Sequence, residues 1–309
     1  MVTTSPLPAP RALLGANLLC SLSMFVWAAG LPAADVLIPH VPALPLTAAR
    51  MALAGLVLLL VWLLIEGPAS LARAPWLRAI GIGAMIAIGA WALILGQGLT
   101  DAVTVAVISA ALPIVGIALE VAFDGRKLTL ALVLGVVLSL CGGGVALAGK
   151  GLGLDLGLGA LLCLSSVFFF TLGSRLSVTA LPALTPLGRT AATLTGAGLT
   201  SMALALGAAA LGGPGPDWAM LGWREAGALV IFAVLAMGVS QILWINSVGS
   251  LGIGLAALHI NAAPFYVMLI QLALGGSWNG AQALGALVVA LGVIVAQGML
   301  PLRWLGLGR

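Results

Sequence analysis

Residues 110–123 read AALPIVGIALEVAF, and residues 261–274 read NAAPFYVMLIQLAL. Each is a long apolar run interrupted by one proline, Pro113 or Pro264, with a polar side chain seven residues later, Glu120 or Gln271. The two runs lie nearly half a chain apart. After each comes a short polar break and then a Gly-rich apolar run, LGVVLSLCGGGVAL (134–147) and LGALVVALGVIVAQ (284–297). Earlier in each half, ALPLTAAR (43–50) ends in Arg50 and ALTPLGR (183–189) ends in Arg189. The order of features therefore repeats. The chain reads as two similar halves, 1–149 and 150–309, joined by the Gly-rich charged break GKGLGLDLG (149–157).

Composition says what surrounds these halves. Of 309 residues, 62% are hydrophobic and 6% charged, and the mean hydropathy is +1.24. A soluble domain carries about 25% charged residues, so 12 Lys+Arg and 8 Asp+Glu cannot cover this chain with a water-facing surface. A soluble enzyme, a disordered chain and a nucleic-acid binder are excluded, and the expected partner is a lipid bilayer. The net charge of +4 comes with no basic run longer than Arg126-Lys127, so no acidic polymer is implied. Cys20, Cys141 and Cys163 all fall in apolar stretches, where they read as small hydrophobes rather than a disulfide framework or thiolate metal site. No metal and no cofactor is expected.

A spanning helix needs about 20 mostly apolar residues. Ten such runs are read, near 12–34, 45–65, 77–98, 102–122, 128–149, 156–178, 183–211, 224–246, 252–274 and 280–300. They are too long for strands and lack period-two alternation, so the expected fold class is an all-α membrane protein. Lys and Arg gather on the cytoplasmic side of such proteins. With the N-terminus inside, Arg11, Arg73, Arg78, Arg126, Lys127, Arg175, Arg189, Arg303 and Arg309 fall inside, against Arg50, Lys150 and Arg224 outside. Both termini are expected in the cytoplasm. Five helices per half is an odd number, so the second half must enter the membrane from the opposite side. Inverted repeats of this kind offer two near-equivalent packings and hold their ligand near the midplane between them, which points to transport by alternating access.

With these features in place, the chain resembles the drug/metabolite transporter superfamily, in particular its bacterial EamA-type permeases. The shared features are ten spans in two halves, an Arg early in the second helix, a Pro in the middle of the fourth and ninth, and the Leu119-Glu120 ending. The resemblance extends over the whole chain and looks closest to bacterial exporters of amino acids, aromatic ones included. It implies a multi-pass permease of the bacterial inner membrane that moves small metabolites outward. Gln271, where an acid could have repeated Glu120, departs from two-fold symmetry of charge.

Polar and aromatic side chains inside spans face the bundle interior or water. On this ground Trp27, Trp91, Ser109, Phe169, Gln241, Trp244, His259 and Asn261 are the candidate substrate-binding residues, with Gln241 and Trp244 one helical turn apart. Pro113 and Pro264 each remove a backbone hydrogen bond and are the candidate kinks of the central pocket. His259, the one histidine inside a span, is the candidate for proton coupling. Arg50 and Arg189, a turn or two inside their helices, are expected to snorkel to the interface, the sharper alternative being a gating pair with a carboxylate. Four-residue stripes of small residues, Ala79-Gly83-Ala87 and Gly188-Ala192-Gly196, mark close helix crossings. A small-molecule substrate with an aromatic or zwitterionic body suits this lining. Drugs and nucleobases are the alternative cargo, and an intramembrane enzyme lacks the constellation that catalysis requires.

Overall fold

The computed structural model describes residues 10–124, 129–148, 154–244, 246–247 and 259–296. The long apolar runs become helices: α1 (Pro10–Leu37, with Pro32 inside it), α2 (Ala43–Glu66), a short α3 (Pro68–Ala72), α4 (Trp76–Leu99), α5 (Ala102–Ser109), α6 (Leu112–Asp124), α7 (Leu130–Ala148), α8 (Leu154–Ala180) and α9 (Pro186–Ala210). Then follow α10 (Trp223–Val230), continued by a π-helical stretch Ile231–Val239, a 3₁₀ turn His259–Ala262, α11 (Ala263–Ala273) and α12 (Gly280–Ala296). No strand occurs among the described residues.

Among those residues seven helical stretches are long and apolar enough to cross a bilayer: Leu14–Leu37, Ala43–Glu66, Trp76–Leu99, Ala102–Phe123 (α5 and α6 taken together), Gly157–Ala180, Pro186–Ala210 and Trp223–Trp244, with a shorter apolar stretch Gly280–Gly292. The expected fifth, ninth and tenth spans each run onto residues outside the described set, as do Arg126, Lys127, Lys150 and the junction at 149–150 between the halves.

The fourth span is two helices rather than one kinked helix. A proline has no N–H, and its ring collides with the carbonyl four residues back. For Pro113 that residue is Ser109, where α5 ends; Ala110 and Ala111 form the turn, and Pro113 sits in the first turn of α6. At its start, α5 is capped by Asp101, whose carboxylate accepts from Val103 N and Thr104 N. Pro264 likewise falls at the start of α11, directly after the 3₁₀ turn. A helix may begin with proline because its first N–H groups have no intrahelical partner.

Lipid offers no hydrophobic drive between helices, so small residues decide which backbones meet. Helices α2 and α9 run antiparallel: Gly198 lies on Ala52, Gly55 on Leu194, and Gly188 on the Trp62 indole. Helices α4 and α8 are antiparallel too, with Gly159 against Thr100, Gly96 against Cys163 and Gly173 against Ile86. In the same manner α1 packs on the π-helical stretch, Gly30 meeting Phe232 and Ala236, while Ser23 Oγ donates to the Ser240 carbonyl at 2.7 Å. Gly142 of α7 contacts Gly285 and Val289 of α12. The two small-residue stripes meet directly: a Cβ on Gly196 would lie 2.7 Å from Ile80 Cα and 2.8 Å from Ala79 O. Helix α5 is buried along its whole length at the centre.

Candidate functional site

A cavity of about 590 Å³ opens among α1, α2, α4, α5, α6, α8 and the segment 237–244. Helix α8 supplies its longest wall through two adjacent four-residue series, Ser166-Phe170-Ser174-Val178 and Val167-Thr171-Arg175-Thr179. Four-residue spacing keeps side chains on one face of a helix. Ile86, Ala90 and Leu93 form the wall of α4, and Met237, Ser240, Gln241 and Trp244 that of the last segment, both at three- and four-residue steps. Ser23, Met24 and Trp27 come from α1, and Arg50 with Met51 from α2.

The lining extends to Leu119, Val178 and Thr179, the last two exposed, so the cavity opens at the ends of α6 and α8. Its other end is sealed twice. Ala33, Ala34, Leu37, Val41, Leu46, Ile94, Ala228 and Phe232 form a buried apolar plug. Beyond it lies a hydrogen-bonded girdle. Gln97 Nε2 donates to Leu31 O at 2.6 Å and to Asp35 Oδ1 at 2.9 Å, tying α4 to α1. Gln282 Nε2 donates to Asp101 Oδ1 at 3.0 Å, tying α12 to the start of α5. A second recess, about 440 Å³, lies over this girdle and is lined by Asp35, Asp101, Gln271, Asn279 and Gln282.

Of the expected binding residues, Trp27, Ser109, Gln241 and Trp244 line the cavity, together with Pro113. The structure does not bring Trp91, Phe169, His259 or Asn261 to the cavity lining. Trp91 is 40% exposed on the outer face of α4, one residue off the Ile86-Ala90-Leu93 stripe. Phe169 packs edge-on to Phe168 and beside Gly89, and its neighbour Phe170 takes the wall. Counting in fours from Ser166 identifies Phe170. In the 3₁₀ turn, Ile260 touches the cavity while His259 and Asn261 flank it, because adjacent residues on a three-fold turn diverge by about 120°. The Asn261 Oδ1 is buried and has no hydrogen-bond partner among the described residues. Pro264 is buried behind the wall, and the side chain of Glu120 lies outside the described residues.

Arg50 corrects the expectation of a snorkelling side chain. It is only 4% exposed and lines the cavity. Its guanidinium carbon sits 3.9 Å from the centre of the Phe232 ring, its Nη2 lies 3.8 Å from Met237 Sδ, and its Nε is buried with no hydrogen-bond partner among the described residues. Both neighbours belong to the π-helical stretch, whose widened turns are a recurrent feature of functional sites. Arg189 does stay near its helix end, where it donates to the carbonyls of Leu181 and Pro182 at 2.9 and 3.1 Å. The two arginines occupy corresponding places in sequence and have different surroundings.

Comparison with known proteins agrees with this architecture. A solved structure titled only as a crystal structure of a protein is 21% identical, aligns over 92% of this chain and 97% of its own, and superposes with a TM-score of 0.66. At that identity the likeness concerns the fold alone. No curated protein matches the chain. Residues 14–147, somewhat under half of the chain, resemble the EamA-like transporter family, and the long apolar helices support a multi-pass membrane protein.

Proposed function

We propose that the chain is a secondary transporter that carries small metabolites, amino acids and aromatic ones among them, by alternating access. The observation that carries this reading is the cavity itself: it is sealed at one end, open at the other, and walled by helices of both halves. Pockets of roughly 300–1,000 Å³ suit small-molecule ligands, and this one has that size. Its walls combine Trp27, Phe170 and Trp244 with the neutral hydrogen-bonding groups of Ser23, Ser109 and Gln241.

Helix packing supports two inverted five-helix repeats, 1–149 and 150–309. Helices α2 and α9, the second of each half, run antiparallel, as they must if the halves insert oppositely. The contact of α4 with α8, third helix on sixth, is matched by that of α10 and its π-helical continuation with α1, eighth on first. The distribution of Lys and Arg supports cytoplasmic termini in a bacterial inner membrane, which makes the cavity mouth cytoplasmic. His259, next to the wall residue Ile260, stays the candidate for coupling to protons.

A second reading, a permease for drugs or nucleobases, is favoured by Met24, Met51 and Met237 on the same wall, since flexible thioethers accommodate varied shapes. Counterflow in liposomes separates the two. Exchange of a labelled amino acid supports the first reading; exchange confined to neutral drugs or nucleobases supports the second, and absence of counterflow with every solute in the panel overturns transport.

A further inference from the structure

Arg50 places a buried positive charge on the cavity wall against Phe232 of the apolar plug, where charge is costly unless it is met by a partner. Arginine does not escape this cost by losing its proton. Among the described residues no Asp or Glu lines the cavity, and what holds the guanidinium is one aromatic face and one thioether. Stacking on a ring occupies the face of the guanidinium and leaves the in-plane fork of N–H donors, which matches a carboxylate in two-point geometry. The Nε of that fork is buried and has no hydrogen-bond partner among the described residues. A side chain positioned so firmly and satisfied so poorly is preorganised for something that comes and goes.

We propose that Arg50 is the anion anchor of the cavity and receives the carboxylate of the cargo at the sealed end, while Trp27 and Trp244 hold its apolar body. This rests on the reading of the cavity as a cargo site and makes it more specific: the cargo is a carboxylate-bearing small molecule, and its carboxamide and its decarboxylated amine are rejected. The anion lands against Phe232, which belongs both to the Arg50 contact and to the plug. Occupancy is thereby sensed where the seal would have to open.

The test uses the full-length purified protein and three probes: phenylalanine, phenylalaninamide and phenethylamine. Tryptophan fluorescence reads binding and liposome counterflow reads transport. Wild-type protein is expected to bind phenylalanine and to discriminate against both analogues. Arg50→Gln is expected to weaken phenylalanine about thirtyfold or more, the usual loss when one partner of a buried charge pair is removed, and to leave the analogues nearly unchanged. Arg50→Lys keeps the charge but loses the fork, and falls between. Equal binding of phenylalanine and its amide to the wild type overturns the anchor without need of any variant, even where Arg50→Gln fails to fold. An equal loss for all three probes in Arg50→Gln also overturns it, since it shows a packing role. Counterflow of the amide as fast as that of the acid removes the anchor and leaves transport standing. Arg50-dependent binding of the acid with no counterflow of any solute leaves the anchor standing and removes transport.

Discussion

Replacing Gln282 by leucine is expected to shift the protein toward the conformation that opens at the opposite end. Gln282 is buried, and its amide gives one hydrogen bond to the Asp101 carboxylate at 3.0 Å and a longer one to Thr104 Oγ1 at 3.4 Å. Asp101 keeps its local donors in the variant: Val103 N at 2.9 Å, Thr104 N at 3.0 Å and Thr104 Oγ1 at 2.6 Å. The cap of α5 therefore survives, and only the tie from α12 is lost. A hydrogen bond to a charged group contributes about 1.5–3 kcal/mol, and each 1.36 kcal/mol is about a factor of ten in a population ratio. The ratio of the two conformations should move by about tenfold to about a hundredfold. The assay is labelling of Ser109→Cys, on the cavity wall, by a membrane-impermeant maleimide from either side of sealed vesicles. The background carries Cys20→Ala, Cys141→Ala and Cys163→Ala. The parent should label from the mouth side, and Gln282→Leu should add labelling from the girdle side at the mouth side's expense. An unchanged ratio, or an equal rise from both sides, would refute the view that the girdle holds one end shut.

Trp244→Ala should raise the KM for cargo by about twofold to tenfold, the range of a lost aromatic contact worth ~0.5–1.5 kcal/mol, read as half-saturation of counterflow. Trp91→Ala, on the outer face of α4, should leave counterflow within about twofold of wild type; a Trp244-like loss would return Trp91 to the pocket. Gly83→Leu should lower the thermal midpoint in detergent or prevent a monodisperse preparation, because a Cβ there would meet Thr193 O at 2.5 Å and overpacking costs about 1–3 kcal/mol even where side chains can yield. Gly81→Leu, on the same helix with nothing within 4 Å, serves as its control and should fold normally.

Much of the fold was legible because its causes are local. Apolar run length against bilayer thickness predicts where spans lie, whereas Pro113 and Pro264, read as kinks, turn out to sit where α6 and α11 begin. The small-residue stripes of α4 and α9 anticipated the crossing at Gly83 and Gly196, since a missing side chain is a local fact with one packing consequence. Helix phase was legible only in part. Gln241 and Trp244 were paired by a three-residue step and both reach the wall, whereas Trp91 and Phe169 were chosen for their chemistry and miss it by one residue. Ser166 already carried the phase of α8, and stepping in fours from it reaches Phe170.

Arg50 marks the other limit. Position along the helix gives its depth, about 10 Å from the start of α2 at 1.5 Å per residue, and at that depth an arginine can reach either the interface or the bundle interior. Which of these it does depends on Phe232 and Met237, residues far along the chain that reach Arg50 because α1 and α2 both pack on the π-helical stretch. The amino-acid sequence by itself determined that the chain is built of long apolar helices suited to lipid, because hydrophobic run length acts through the nearest few residues. Only the tertiary structure decided which end of the cavity is shut and where its buried cation points, because both follow from contacts between helices whose rotation about their own axes no single span can set.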